Sequence, residues 1–309
     1  MAELLRILKL ETGLSDQDLE KIIRTAPERY KTYPIPKRNG SGNRMISQPA
    51  REVKFMQRIL MEHVLSKFPV HASASAYKAG ASIVRNASAH AKSGPILKID
   101  FENFFPSIRE MDWAQLAKSS GFDDEDIWIS GRLFFKRDPR RRGLRLSIGA
   151  PSSPILSNIL MYSIDQRISE EIAGEGVRYT RYADDLTFSA RRTGFLNGVE
   201  KDLRRILREA QYPLLKVNPA KTVYATKKYR RQVTGLILTN DGNVSVGRDR
   251  KRNLFAAVHH QLKGGADADR VKETLGLIAF VSSVEDDFMT RLKRKYGDDV
   301  MERLRNLFE

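Results

Sequence analysis

Tyr182-Ala183-Asp184-Asp185 places two adjacent carboxylates between Val177–Arg181 and Leu186–Ala190, segments rich in apolar, aromatic and β-branched residues. Neither flank contains Gly or Pro, so both are predicted strands with the Asp pair at a hairpin tip. Two carboxylates so placed repel each other and lose hydration unless a cation sits beside them. A divalent metal is the usual remedy, and hard oxygen ligands point to magnesium. Taken alone, the pair also fits an ordinary acidic turn. A third acid, Asp100, lies 84 positions earlier, near the end of the segment Pro95–Phe101. If adjacent antiparallel strands bring the three together, they suit nucleotidyl transfer, in which carboxylates hold two metals about 3.5–4 Å apart, one activating the attacking hydroxyl and the other neutralising the phosphates. Positioning and electrostatics then do most of the catalysis.

The elements around these acids follow from periodicity. In Pro95–Phe101, Leu97, Ile99 and Phe101 face one way, and Ile96, Lys98 and Asp100 the other, so the strand delivers Asp100 to an open surface. Ser152-Ser153-Pro154 is a predicted helix start, cap then proline, for one helix carrying Leu156, Leu160, Ile164 and Ile168. Val199, Leu203, Ile206, Leu207 and Ala210 mark an amphipathic helix over the sheet. Short strands are expected at Leu214–Val217, Val223–Thr226, Val233–Leu238 and Val244–Val246, with Asp241-Gly242 turning between the last two. Two helices open the chain, the second capped by Ser15 and ended by Pro27. Tyr33–Pro36 is extended by proline sterics, Lys37–Gly42 is a hairpin loop, and Arg44–Pro49 is the return strand before a helix bearing Val53, Met56, Ile59, Leu60 and Val64. Residues 119–145 look inserted, with an acidic patch at Asp123–Asp126 and a basic run from Lys136 to Arg145. From Arg248 the pattern is wholly helical and predicts a three-helix lobe.

The 309 residues are 41% hydrophobic and 30% charged, which describes a globular protein of two or three lobes rather than a disordered chain. With no cysteine, disulfides and Cys-based zinc sites are excluded. The start, Met1 to Arg6, has no basic segment followed by an apolar core, and no apolar run reaches membrane-spanning length, so a cytoplasmic protein without membrane attachment is expected. The net charge of +16 points to a polyanionic partner, nucleic acid first. The charge is concentrated: Lys37 to Lys92 has ten bases against two acids, and Arg191 to Arg231 twelve against three. Val244 to Glu309, with thirteen against eleven, is near neutral.

Over residues 30–240 the chain resembles the reverse transcriptases, and within them the bacterial retron enzymes. Arg44–Pro49 resembles the fingers motif that grips the incoming triphosphate. Asp100–Phe105 resembles the motif with a metal-binding Asp and an aromatic sugar gate five residues on. Gly149–Pro154 resembles the glycine turn and helix under template and nucleotide, with Ile148 where many relatives have Gln. Tyr182–Asp185 resembles the catalytic tip, and Leu215–Thr222 the lysine motif that follows it. Asn86-Ala87-Ser88-Ala89-His90 and Val233-Thr234-Gly235 resemble two retron signatures; Asn86 and His90 are four apart and share a helix face.

The resemblance implies an α+β right-hand polymerase: N-terminal helices and fingers over 1–95, a palm of antiparallel sheet and helices over 96–243 with a fingers-type insertion near 119–145, and a helical thumb over 244–309. Asp100, Asp184 and Asp185 would hold two magnesium ions with help from the Phe101 carbonyl. Lys37 and Arg44 would meet the triphosphate, Phe105 would exclude a ribose 2′-hydroxyl, and Lys221 would serve the pyrophosphate side or charge balance. Asn86, His90, Val233, Thr234 and Gly235 would recognise a cognate structured non-coding RNA. The implied activity is RNA-directed DNA synthesis from dNTPs, primed by an RNA 2′-hydroxyl and yielding branched msDNA, in an antiphage system with a separate effector protein. At 309 residues, no appended endonuclease or RNase H domain is expected. An intron maturase-like enzyme and a non-catalytic RNA-binding scaffold are the rival readings.

Overall fold

A computed structural model describes residues 2–37, 40, 42–140, 142–174, 176–264 and 267–307. The chain forms two compact units. One comprises Met1–Ala81, Leu97–Phe188 and Gly194–Val223; the other comprises Ser82–Ile96, Ser189–Thr193 and Tyr224–Glu309.

In the first unit, helices Glu3–Thr12 and Asp16–Thr25 bury Leu4, Leu8, Leu19 and Ile23. Ser15 caps the second through the amide of Asp18, as its spacing predicts. Strands Tyr30–Pro36 and Asn43–Pro49 pair antiparallel from Tyr30 opposite Pro49 to Pro36 opposite Asn43. Residues 38, 39 and 41 of the expected hairpin loop lie outside the described residues, as does Arg141 of the basic run. The acidic patch becomes a helix start. Asp123 caps helix Asp124–Phe134 through the Asp126 amide at 2.7 Å, and the acids fill the first turn, where the helix dipole favours them.

The central sheet has four strands in the order Val177–Tyr182, Asp185–Ala190, Ile96–Phe101, Val217–Ala225. Burial along Ile96–Phe101 follows the expected alternation from Leu97 onward, with Leu97, Ile99 and Phe101 buried and Lys98 and Asp100 partly open, while Ile96, expected on the open face, is buried in the core of the second unit. The two strands expected at 214–217 and 223–226 are one strand, Val217–Ala225. Pro219 is tolerated inside it because this is an edge strand, where a missing N–H costs no ladder bond. The long helix expected from Ser152 is two, Ser152–Leu160 and Tyr162–Glu171, separated at Met161. Ser157 Oγ bonds back to the Pro154 carbonyl at 2.7 Å, a competition that bends helices. Pro151, not Ser152, occupies the cap position.

The second unit packs helix Ile83–Ala91 and a three-stranded sheet with helices Arg248–Leu262, Ala268–Ser282, Phe288–Tyr296 and Val300–Asn306. The C-terminal lobe thus has four helices among the described residues rather than three, since Val300 and Leu304 bury a short final helix. Val233–Leu238 is a hairpin rather than one strand. Arg231–Val233 turns through Thr234 (φ 47°) and Gly235 (φ 83°) into Leu236–Leu238, with Val233 opposite Leu236. Two successive left-handed residues are what the tightest hairpin turn demands. Among the described residues no helix is long and apolar enough to cross a membrane.

Candidate active site

The hairpin tip forms where the sequence predicts it. Strand Val177–Tyr182 ends at Tyr182, Ala183 and Asp184 make the turn, and Asp185 opens the return strand. Ala183 sits in the left-handed region (φ 58°), a costly conformation for a residue with a Cβ. The neighbouring strand is locked alongside: the Phe101 amide donates to the Asp184 carbonyl at 3.2 Å.

What holds the strained turn is a buried polar network that periodicity does not disclose. Arg181 and Asp165 are both wholly buried and form a two-pronged pair, with Nη2 to Oδ2 at 2.6 Å and Nε to Oδ1 at 2.9 Å. Tyr179 donates its hydroxyl to Asp165 Oδ1 at 2.7 Å. The remaining arm, Nη1, donates to Asn158 Oδ1 and to the Ala183 carbonyl, each at 3.1 Å. The guanidinium thus reaches over its own strand to pin the turn. One clue lay in the sequence: Arg181 shares a strand face with Val177 and Tyr179, and a cation on a buried face needs a partner.

Asp100 Oδ1 lies 2.8 Å from Lys221 Nζ, and Asp185 Oδ2 lies 3.4 Å from Lys98 Nζ. Burial pushes the Asp184 carboxyl above its usual range, and the charge of Asp100 adds to this, while Lys221 and Arg44 pull it down. Burial likewise raises Asp185, against the pull of Lys98. Asp100, Asp184, Asp185, Lys221 and Arg44 are therefore brought within electrostatic reach of one another. Lys98 joins them, unpredicted, from the open face of its strand. Among the described residues no three acidic or histidine side chains stand close enough to hold an ion as placed, and Asp100 and Asp185 each face a lysine. In donor chemistry the set fits a divalent ion: hard carboxylate oxygens, with Asp184 and Asp185 raised by burial and by neighbouring acids, that a cation would stabilise.

Phe101 is buried and stacks on Phe104, with centroids 5.8 Å apart and planes 13° apart. Phe105, half-buried, follows on a short turn after the left-handed Asn103. Arg44 is exposed on the strand that pairs it with Ile35. Lys37 is exposed beyond that strand's end, its amide bonded to the Gly42 carbonyl at 3.0 Å. Ile148, standing where many relatives have Gln, contributes its backbone: its carbonyl accepts from the Ser47 amide at 2.7 Å.

The two signature strings meet in the second unit. The Thr234 hydroxyl donates to the Ile83 carbonyl at 3.1 Å, tying the Val233-Thr234-Gly235 turn to the first residue of the Asn86/His90 helix. Asn86, His90 and Val233 are buried, whereas Thr234 and Gly235 are half-open. His90 Nδ1 lies 2.6 Å from Ser189 Oγ, which in turn contacts Ser93 Oγ at 3.0 Å. Arg231, also buried, donates to the carbonyls of Ser93, Gly94, Leu238 and Thr239. Thr234 and Gly235 are thus partly open to solvent, and Arg85 and Ser88 are exposed on the Asn86/His90 helix.

Residues 35–238 match the family described as reverse transcriptase (RNA-dependent DNA polymerase). Retron Ec83 reverse transcriptase of Escherichia coli is 35% identical, covering 98% of this chain and 99% of its own length. Retron Mx162 reverse transcriptase of Myxococcus xanthus is 34% identical over 82% of this chain and 57% of its own. Among solved structures, telomerase from Candida albicans, in complex with a fragment of telomeric RNA, aligns with a TM-score of 0.50 at 14% identity. That alignment covers 93% of this chain and 61% of the telomerase chain, a likeness of fold. Reverse transcriptases use divalent metal ions. With an α+β right-hand fold and its acids gathered at a hairpin tip, the chain belongs to the bacterial retron reverse transcriptases, RNA-directed DNA polymerases that copy an RNA template.

Proposed function

We propose that this enzyme copies part of a cognate structured non-coding RNA into single-stranded DNA, priming from a guanosine 2′-hydroxyl of that RNA and leaving branched msDNA. In this reading residues 1–95 serve as fingers, 96–243 as palm and 244–309 as thumb. Two magnesium ions, when bound, would activate the attacking hydroxyl and stabilise the leaving pyrophosphate. Asp100, Asp184 and Asp185, with the Phe101 carbonyl, would hold them. Lys98 pairs with Asp185 and Lys221 with Asp100, and, released from them, both would meet phosphate charge. Arg44 and Lys37 would bind the triphosphate, and the half-buried Phe105 ring would crowd a 2′-hydroxyl, favouring dNTPs. The observation that carries the reading is the gathering of two half-buried carboxylates at a pinned hairpin tip beside a third, an arrangement costly to a fold unless cations balance it.

Recognition of the cognate RNA falls to the surface built by the Asn86/His90 helix and the Val233–Gly235 turn. The basic block Lys37–Lys92, which contains Asn86 and His90, and the block Arg191–Arg231, which ends two residues before Val233, would supply phosphate contacts and make binding salt-dependent, while a few polar groups read RNA shape or loop bases. The msDNA would serve an antiphage system with a separate effector, in the cytoplasm. Incubation of the purified enzyme with magnesium, dNTPs and the RNA encoded beside its gene tests the reading. The expected product is DNA covalently joined to RNA through a linkage that survives denaturation and is cut by a 2′-5′ debranching activity. DNA that separates freely from the RNA would refute branched priming, and no synthesis on any primed template would favour the scaffold reading.

A further inference from the structure

Tyr77 lies in the loop between helices Arg51–His63 and Ile83–Ala91, and no motif drew attention to it. Its backbone is left-handed (φ 60°), a genuine outlier for a bulky side chain. The strain is imposed by firm anchors. The Ser75 amide donates to the Arg181 carbonyl at 2.7 Å, and Asn158 Nδ2 donates to the Ala76 carbonyl at 2.8 Å. Asn158 is itself held by Arg181, so the network that pins the catalytic turn also fixes this loop. Ala74 and Ala76 are buried at 0% and 1% exposure, yet the next ring stands out at 42%. A large aromatic held in a strained conformation and left open to solvent gains nothing for the core.

Its surroundings say what the ring is for. Its centroid is 6.5 Å from that of Phe105, with the planes at 50°. Burial raises its phenol, the charges of Asp184 and Tyr182 raise it further, and Arg44 and Arg181 lower it. Tyr77 therefore stands among the sugar-gate candidate, a metal-ligand candidate and the triphosphate-binding arginine. Strained residues held by an over-determined frame cluster at ligand sites.

We propose that Tyr77 forms a wall of the nucleotide site, its ring packing against the nucleoside of the incoming dNTP beside Phe105. The inference rests on the nucleotide-site reading of Arg44, Phe105 and Asp184. An aromatic face offers sequence-tolerant contact to any of the four nucleosides, and a preset conformation spares the entropy of ordering it on binding.

Single-nucleotide incorporation on a primed template, with dNTP titrated, tests this for Tyr77→Phe, Tyr77→Ala and Tyr77→Asn, with the melting temperature of each. Tyr77→Ala and Tyr77→Asn should raise the dNTP KM by about tenfold or more, as loss of one stacking contact does, with a smaller change in kcat and an unchanged template-primer Kd. Tyr77→Phe should stay within about twofold of wild type. Tyr77→Asn should melt no lower than wild type, since Asn tolerates the left-handed region, so a purely structural role would leave its KM intact. An unchanged KM in the Ala and Asn variants overturns the proposal. So does a KM rise accompanied by a lower melting temperature in both, or a defect confined to template-primer Kd. Phe105→Val, assayed in parallel for dNTP-to-rNTP discrimination, separates the two levels. A shifted ratio with normal Tyr77 variants removes Tyr77 alone, whereas no effect in either set removes the nucleotide-site reading as well.

Discussion

Two hairpin tips in this enzyme each carry a non-glycine residue in the left-handed region, Ala183 at φ 58° and Thr234 at φ 47°, and each lies close in sequence to a buried arginine. The two arginines are satisfied in opposite ways. Arg181 meets a buried carboxylate, Asp165, whose charge and hydrogen bonds keep the guanidinium's pKa raised against burial. Arg231 meets four backbone carbonyls, and burial pulls its pKa down. Beside the carboxylates proposed to be catalytic, a buried pair of zero net charge fixes the turn without adding a net charge. Arg231, balanced only by backbone dipoles, leaves a net positive charge in the second unit, which would suit a polyanion if the proposed RNA surface is there. Arg181 bonds its own turn through the Ala183 carbonyl, whereas Arg231 bonds carbonyls at the end of its hairpin away from Thr234.

Substitutions can break or sharpen this contrast. The largest effect is expected from Asp184→Asn, which should cut extension on every template by about a hundredfold or more, the scale of losing a strong transition-state electrostatic contact, while RNA binding by filter or gel shift persists. Extension near wild type would remove the catalytic assignment of the first tip. Next, Arg181→Ala strands a buried carboxylate and should cost about 3–5 kcal/mol in denaturant unfolding, whereas Arg181→Leu combined with Asp165→Leu should recover much of that. Arg231→Ala leaves carbonyls but no charge unpaired, and should cost about 1–3 kcal/mol. Equal losses at the two arginines would erase the distinction drawn here. Thr234→Gly keeps the turn conformation but loses the hydroxyl bond to Ile83; synthesis on the cognate RNA should fall several-fold while extension of an annealed primer on an unrelated template holds. A parallel fall in both activities would place the second tip in general catalysis.

The smallest effect concerns acid stability. Burial pushes Glu285 up, but hydrogen bonds from Lys251, Ser245, Arg291 and the Val246 amide hold its carboxyl down to about 2, against an ordinary 4.5. A depressed pKa contributes stability that is complete above the unfolded value and fades as pH falls from about 4.5 towards about 2. Glu285→Gln should therefore be less stable at pH 7 and show a shallower loss between pH 5 and pH 3, read by urea unfolding at each pH. Identical slopes for the two proteins would show that this cluster does not couple to folding.

The acids were legible because strand alternation is a local signal: Leu97, Ile99 and Phe101 pack, so Asp100 faces out, and Ala183-Asp184 had strand formers on both sides. Arg181–Asp165 was not, because the pair spans a helix and a strand and exists only once they pack. The Thr234–Gly235 turn hid inside a run of β-formers, where a glycine in a strand and a glycine ending one look alike until Arg231 is seen opposite Leu238. The break at Met161 has no Gly or Pro to announce it, and helix Val300–Asn306 offers two buried residues amid charges. The meeting of the two retron strings was also beyond the sequence, since it depends on one hydroxyl reaching across 151 positions.

Gly149 stands at φ 122° with no room beside it: a Cβ there would lie 2.9 Å from Ile46 Cγ2 and 3.0 Å from the Ser47 carbonyl oxygen. The adjacent Ile148 carbonyl is bonded to the Ser47 amide, and Lys136 Nζ reaches the Ser47 hydroxyl at 2.8 Å. Strand Asn43–Pro49, which carries Arg44, is thus geared to the glycine turn like meshed teeth. Displacing one would press on the other, so if a nucleotide binds at Arg44 as proposed, a shift of that strand would be felt at the start of helix Ser152–Leu160. Efforts to widen substrate range by loosening that strand would be felt at the turn, and the two would have to be redesigned as one moving part.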